Sequence, residues 1–236
     1  GRATLADNPA GIEYLLPRVE ATSLIKQVTN PEVLIAILGN PKLNDDQRRA
    51  AVNILAGVKR RSAVQVLFEL AVSDAANQTI PLIGSWDVAE LRVHRAHLQR
   101  LANSSASPEL RESALAALAR VTTAEEVCQE FADLANGRGD LLHAIEQMPE
   151  PAVRAGFFQW VREQLHDKSL PVVRSAAAAL AHIPNHDEQK IDDLTALVTS
   201  DRALPETFET LATIDSDAWN TERARPVLDS ILTYVS

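Results

Sequence analysis

The chain has 236 residues, of which 46% are hydrophobic and 23% are charged, and its formal net charge at pH 7 is −9. No apolar run approaches the roughly 18 residues that a membrane-spanning helix needs, so we expect no membrane insertion. The negative charge opposes binding to a phosphate backbone, where affinity rests on clustered lysine and arginine, so we expect no nucleic-acid partner. One cysteine, Cys128, excludes an internal disulfide and a multi-cysteine metal site.

The apolar content comes mainly from alanine and leucine, whereas aromatic residues make up only 4% of the chain. Small and unbranched side chains favour the α-helix, and alanine allows helices to approach closely. The sequence therefore predicts an all-α fold. The charge is uneven along the chain, since residues 185–236 carry eleven acidic and four basic side chains, whereas residues 42–61 carry six basic and two acidic ones. This gradient could steer a partner, although a solvated face is the commoner explanation.

Apolar residues at helical spacing predict a series of paired helices. Ile54, Leu55 and Val58 share one helical face. Asn30 and Ser107 each precede a proline and a glutamate, which is typical of an N-cap followed by proline at the first helical position. In chain order we predict helices at 21–29, 31–39, 44–58, 62–73, 87–103, 108–121, 124–136, 139–148, 150–166, 170–183, 187–200, 204–214 and 220–235.

A Leu-Ala pair recurs along the chain at a regular interval. The pairs begin at Leu55, Leu118, Leu180 and Leu211, at steps close to two, two and one units of about 31 residues. The first three pairs follow an arginine and a run of small residues, and each is followed after one residue by valine or isoleucine. A fixed period of this size is typical of a stacked repeat array, here with a helix A, a tight turn and a helix B in each unit.

One unit departs from this pattern at residues 74–86, where Pro81 and Gly84 interrupt the helical spacing. We predict an irregular insertion there in place of a helix A. A long insertion in an array is often functional. The alternative is a degenerate repeat whose apolar residues fill the gap left by the missing helix, and the apolar content, which includes Ile80 and Trp86, favours this alternative.

The repeat unit, an arginine followed by small residues and then Leu-Ala-x-Val/Ile, resembles the HEAT family of helical hairpins between about residues 41 and 214. The resemblance implies a right-handed α-α superhelix of about six or seven hairpins, as in HEAT or armadillo arrays, over residues 1–236. It also implies a structural ladder in which an arginine of helix A bonds to an acidic residue of a turn. By position, the ladder residues are Arg48, Arg111, Arg174, Leu55, Leu118, Leu180 and Leu211.

Residues 207–219 and 224–235 also resemble the HEAT region of large planctomycete proteins, in which that region lies between a dehydrogenase-like propeller and a c-type haem domain. This resemblance implies a spacer or docking segment of a larger periplasmic redox protein; without it, we expect a cytoplasmic protein. The chain lacks the Cys-x-x-Cys-His haem motif, so we expect no cofactor in this chain.

Two histidines on the predicted helix 87–103, His94 and His97, are spaced so that both lie on one side of the helix, one turn from Glu90. A metal site is geometrically possible, but neighbouring arginines such as Arg95 oppose a cation. We therefore expect no metal, and we predict Arg95 and His97 as contacts for an acidic partner, with a solvated basic face as the alternative.

The predicted helix 150–166 carries the densest aromatic cluster of the chain. In HEAT-like arrays the B helices line the concave surface, so the resemblance makes Arg154, Phe158 and Arg162 candidates for partner contact. The alternative is that these aromatic residues fill space between repeats.

The sequence predicts no catalytic residue, because no phosphate-binding glycine loop and no acid–histidine–nucleophile spacing occurs in it. Cys128 shares an apolar stripe with Phe131 and is interpreted as a buried structural thiol. We predict a non-catalytic scaffold or spacer that binds a protein or a neighbouring domain of the same polypeptide. The alternatives are a lyase- or chaperone-like subunit that grips a cofactor-bearing partner, and a HEAT-like nucleic-acid repair glycosylase, which the acidic charge disfavours.

Overall fold

The structure is a computed structural model in which the regular elements are all helices. It describes residue 11 and residues 21–73, 75–134, 136–200 and 205–235. No strand forms in these ranges, which confirms the predicted all-α class. Residues 74, 135 and 204, which belong to predicted elements, lie outside the described residues. In the described part of the chain, no helix combines the length and the apolar character needed to cross a membrane.

The chain divides into two compact units, residues 1–121 and residues 122–236. The prediction of a single array over residues 1–236 stays a prediction. Between residues 21 and 121, the described helices of the first unit are α1 (Ala21–Ile25), α2 (Pro31–Leu38), α3 (Asp45–Lys59), α4 (Ala63–Leu70), α5 (Ala76–Gly84), α6 (Val88–Val93), α7 (Arg95–Ser104) and α8 (Pro108–Val121).

The second unit contains eight α-helices and one 3₁₀ turn in its described residues. They are α9 (Ala124–Phe131), α10 (Gly137–Gln147), α11 (Pro151–Ala155), α12 (Phe158–Gln164), α13 (Leu170–His182), α14 (Asp187–Thr199), α15 (Pro205–Thr213), the 3₁₀ turn Ser216–Ala218 and α16 (Thr221–Val235).

The predicted irregular insertion at 74–86 is wrong, because α5 occupies the position of the helix A that seemed to be missing. Proline inside a helix costs about 3 kcal/mol. The chain forms the helix because it buries Ile80, Leu82 and Ile83 almost completely, and each such side chain contributes about 1.5–3 kcal/mol. Pro81 itself lies on the exposed side of α5.

Helices A pack against each other in sequence within each unit. In the first unit α5 contacts both α3 and α8, and in the second unit α13 contacts both α10 and α15. The α5–α8 contact is close, since a Cβ atom added to Gly84 would lie 3.3 Å from the Cβ atom of Ala116. Glycine therefore removes the side-chain atom that would hold these two helices apart.

Two predicted B helices are each broken into two. The predicted helix 87–103 forms α6 and α7, with a break at His94 (φ −106°, ψ 16°). The predicted helix 150–166 forms α11 and α12, with a break at Gly156 and Phe157. A Cβ atom at Gly156 would lie 3.1 Å from that of Ala124, so the second break coincides with a close approach to α9. The remaining predicted helices are present, although α1, α4 and α9 end three to five residues earlier than predicted.

The residues of the predicted ladder all make structural contacts. Arg48 is buried and donates from Nη1 to Asp45 Oδ1 at 3.2 Å and from Nη2 to Gln78 Oε1 of α5 at 2.8 Å. Arg111 donates to the carbonyl oxygen of Ser105 at 2.9 Å. Arg174 Nε lies 4.0 Å from Glu206 Oε2 of α15, the next helix A. The four ladder leucines are all buried: Leu55, Leu118, Leu180 and Leu211.

Further polar contacts join residues that lie about one repeat apart in sequence. Thr210 Oγ1 of α15 donates to the carbonyl oxygen of Ala177 of α13 at 2.8 Å, in the buried contact between these helices. Arg49 Nη2 donates to Ser85 Oγ at 2.7 Å, and its guanidinium carbon lies 5.1 Å from the ring centroid of Trp86. These contacts fix the register in which one hairpin packs on the next.

Candidate functional site

A groove between α4 and α7 in the first unit brings together aromatic, imidazole and guanidinium groups. Helix α4 begins with a capping box, in which Ser62 Oγ accepts from the backbone N–H of Gln65 and the Gln65 side chain accepts from the backbone N–H of Ser62. The core face of α4, which includes Leu67 and Leu70, is buried. Phe68 lies beside that face and is half-buried.

The two histidines that line the groove, His94 and His97, both pack on the ring of Phe68. His97 stacks on it with a centroid distance of 4.2 Å and an interplanar angle of 19°. His94 meets it edge to face, at 5.9 Å and 88°. His94 lies at the break between α6 and α7, and its Nε2 atom lies 3.1 Å from Ser62 Oγ. The break therefore places both imidazoles against one aromatic ring.

The α4–α7 groove has a volume of about 800 Å³. Its rim carries two largely exposed valines, Val72 (81% exposed) and Val93 (80% exposed). Exposed apolar side chains gathered around a concave surface indicate an interaction site more than scattered ones do. The groove is lined by Arg61, Gln65, Phe68, Glu69, Val72, Val93, His94, Ala96, His97, Arg100 and Leu101.

The groove is rich in positive groups. Arg100 Nη2 lies 3.1 Å from His97 Nδ1. Glu69 forms ion pairs with Arg61 and with Lys59, whose Nζ atom lies 2.8 Å from Glu69 Oε2. Partial burial, then the charges of Arg100 and His94, hold the pKa of His97 below its ordinary value. Neutral His97 is therefore favoured near pH 7 in the absence of an anion.

Of the two residues predicted on this helix, His97 lies in the groove and Arg95 does not line it. Arg95 is the exposed first residue of α7. Glu90, which was considered as a third metal ligand, accepts a hydrogen bond from Trp86 Nε1 at 3.4 Å. Among the described residues, no group of three or more histidine, cysteine, aspartate or glutamate side chains is placed to hold a metal ion.

The residues predicted for partner contact in the second unit are engaged within that unit. Phe158 is buried rather than exposed, because His186 stacks on its ring at 3.9 Å with an interplanar angle of 8°. Arg162 pairs with Asp193 of α14, with Nη2 2.9 Å from Oδ1. Arg154 donates to the carbonyl oxygen of Met148. These side chains join α11 and α12 to neighbouring segments, and their role in partner binding stays a prediction.

A second cavity, of about 580 Å³, lies beside Trp160 in the second unit. Its charged groups compensate each other, since Arg138 forms an ion pair with Asp167 and lies 3.8 Å from Asp133. The nearby thiol of Cys128 is half-buried, and burial followed by the charge of Glu163 raises its pKa to about 12. Because the thiolate is the reactive form, this pKa opposes a role for Cys128 as a nucleophile.

Sequence reasoning missed Phe68 and the two rim valines. A signal was present for Phe68, since it lies next to Leu67 but outside the apolar stripe formed by Val66, Leu67 and Leu70. A large aromatic residue off the core stripe indicates a second contact surface. Val72 and Val93 gave no such signal, because single exposed apolar residues are common.

Comparison of the chain with protein-family models, curated proteins and solved structures finds no match. The resemblance to HEAT hairpins therefore stays a prediction from the repeated residues. The all-α class rests on the helices of the structure.

Proposed function

We propose that the chain is a non-catalytic protein-binding module and that the α4–α7 groove is its binding surface. The observation that carries the proposal is the combination in one groove of a half-buried Phe68, two packed imidazoles and two valines that are about four-fifths exposed. Aromatic and arginine groups are the side chains that most often dominate the energetics of protein interfaces. The partner is another protein or a neighbouring domain of the same polypeptide.

The proposal includes the finer architecture, a right-handed superhelix of about six or seven HEAT-like hairpins that serves as a scaffold or spacer. Its support is the sequential packing of α3, α5 and α8 in one unit and of α10, α13 and α15 in the other. In repeat arrays of this kind each hairpin contacts only its neighbours, and the stacked helices present extended surfaces to partners.

Site-specific photo-crosslinking tests the binding surface. The crosslinking amino acid p-benzoylphenylalanine would replace Val72 or Val93 on the groove rim, and it would replace Val58, which is 40% exposed in the same unit and does not line the groove, as the matched control. The proposal predicts one discrete crosslinked partner in an extract of the source cells from positions 72 and 93, and none from position 58. A partner captured equally from all three positions, or from none, would contradict it.

A second variant, tested in the same extract, distinguishes partner binding in the groove from non-specific adhesion of the exposed valines. Phe68→Ala, introduced beside the crosslinker at position 72, removes the ring on which both histidines pack. We expect the crosslinked product to decrease strongly, because a groove that loses its central ring loses its shape. An unchanged yield would indicate that the valines adhere to proteins without help from the groove.

A further inference from the structure

The charge balance of the α4–α7 groove favours an anionic ligand. Among the described residues that line it, Glu69 is the one acidic side chain, and it already pairs with Arg61 and Lys59. Among the described residues no acidic side chain pairs with Arg100, whose contact in the groove is with the imidazole of His97. The lining is therefore positive even when both histidines are neutral.

The contact between Arg100 and His97 also fixes which imidazole nitrogen carries the proton. A guanidinium group has donors only, so His97 Nδ1 must accept the hydrogen bond from Arg100 Nη2 at 3.1 Å. The proton of the neutral ring then lies on Nε2. His97 thus offers an N–H donor on the side of the ring away from the Arg100 guanidinium, and its Nε2 has no hydrogen-bond partner among the described residues.

The groove also has an apolar part. Val72 and Val93 are exposed on the rim, and Leu101 is half-buried in the lining. A free inorganic anion would leave these side chains in water, whereas a peptide with branched apolar residues would cover them, at a gain of about 25 cal/mol per Å² of apolar surface removed from water.

We infer that the groove binds a segment of a partner protein in which carboxylate side chains stand beside branched apolar ones. One carboxylate accepts from His97 Nε2–H, a second accepts from Arg100, and the apolar neighbours cover Val72 and Val93. This inference rests on the proposed protein-binding function and specifies its partner. A basic segment is opposed by the charge of Arg100, because Glu69, the one acidic side chain among the described lining residues, already pairs with Arg61.

Nuclear magnetic resonance titration of the whole chain with synthetic hexapeptides tests the inference. The peptides alternate leucine with glutamate, glutamine or lysine, and a fourth alternates glutamate with serine. We expect the glutamate–leucine peptide to shift the His97 imidazole resonances most. It should also raise the pKa of His97, because a bound carboxylate favours the imidazolium form against the opposing charges of Arg61, Arg100 and His94.

Two charge-matched variants localise the effect. Arg100→Gln should weaken binding of the glutamate–leucine peptide by about fivefold, as expected for loss of a partly exposed ion pair. Arg92→Gln removes the same charge from α6 outside the groove lining and should leave the affinity nearly unchanged. Equal weakening by both variants would mean that only the overall charge matters and would overturn the inference.

The peptide series separates failure of this inference from failure of the proposed function. Equal binding of the glutamate, glutamine and lysine peptides would overturn the acidic partner while leaving an apolar protein-binding groove. Equal binding of the glutamate–serine and glutamate–leucine peptides would indicate a simple anion site and would also overturn the inference. If no peptide changes the His97 resonances, the inference is wrong. The proposed function is then tested separately, by the crosslinking yields at positions 72 and 93.

Discussion

Replacement of Leu180 by alanine tests whether the packing of helices A holds the second unit together. Leu180 is completely buried on α13, which packs between α10 and α15. A buried leucine replaced by alanine costs about 2–5 kcal/mol, with the larger costs where the cavity cannot collapse. The neighbouring Ala176, Ala177 and Ala179 are small and fully buried, so no flexible side chain on α13 is available to refill the space. We therefore expect a loss of about 3–4 kcal/mol.

A loss of this size lowers Tm by roughly 15 °C for a unit of this length. Thermal and urea unfolding would be followed by circular dichroism at 222 nm, with His182→Ala as the control, because His182 is an exposed residue of the same helix. The control should change stability by less than about 0.5 kcal/mol. If Leu180→Ala has the same Tm as His182→Ala, Leu180 is not in the core and the repeat register is wrong.

Three further outcomes follow from local features of the structure. The Cys128 thiol should react with a disulfide reagent far more slowly in the native than in the urea-unfolded chain at pH 8, because its pKa is raised to about 12; equal rates would contradict its burial. Since the pKa of His97 is lowered in the folded chain, the unfolded chain takes up this proton first as the pH falls below about 6.5. Stability should therefore decrease on acidification, and it should decrease less in His97→Gln; equal pH profiles would refute this coupling. Asn44→Ala should destabilise α3 by about 1 kcal/mol in urea unfolding, because Asn44 accepts from the Gln47 backbone; an unchanged midpoint would argue against the cap.

Most helices were predictable from the sequence because periodic apolar residues and caps act locally. Asn30 and Pro31 begin α2, and Pro108 begins α8, at the predicted positions. The helix α5 was not predictable in the same way, because Pro81 lowers its local helix propensity. Its formation depends on burial of residues such as Ile83 and on the close contact of Gly84 with α8, which involve residues distant in sequence.

The breaks in the B helices were also hidden, because the apolar periodicity continues through them. His94 leaves helical geometry where its ring contacts Ser62 and Phe68, both of which belong to the preceding hairpin. Gly156 lies at the end of α11, where a Cβ atom would approach Ala124 of α9. In each case a tertiary contact coincides with the break. The apolar pattern of a single helix therefore cannot predict the break.

The candidate site was predictable only in part for the same reason. His97 was found from its spacing with His94 on one helical side, but Phe68, on which both pack, lies in another hairpin. The basic neighbours of His97 suggested an acidic partner, and the structure adds the apolar rim that a sequence pattern could not place in the same groove.

The two predicted contact surfaces differ in how their charges are compensated, which the sequence could not reveal. Arg162 lies one helical turn after Phe158, and Arg100 lies one helical turn after His97. Arg162 is neutralised by Asp193 from the next hairpin, and His186 covers the adjacent ring of Phe158. Arg100 instead contacts a neutral imidazole of its own helix. A compensated arginine gains little from a new anion, because it must first give up the one it holds, whereas Arg100 has no such cost. This difference, rather than residue type, is why we propose the α4–α7 groove as the binding surface.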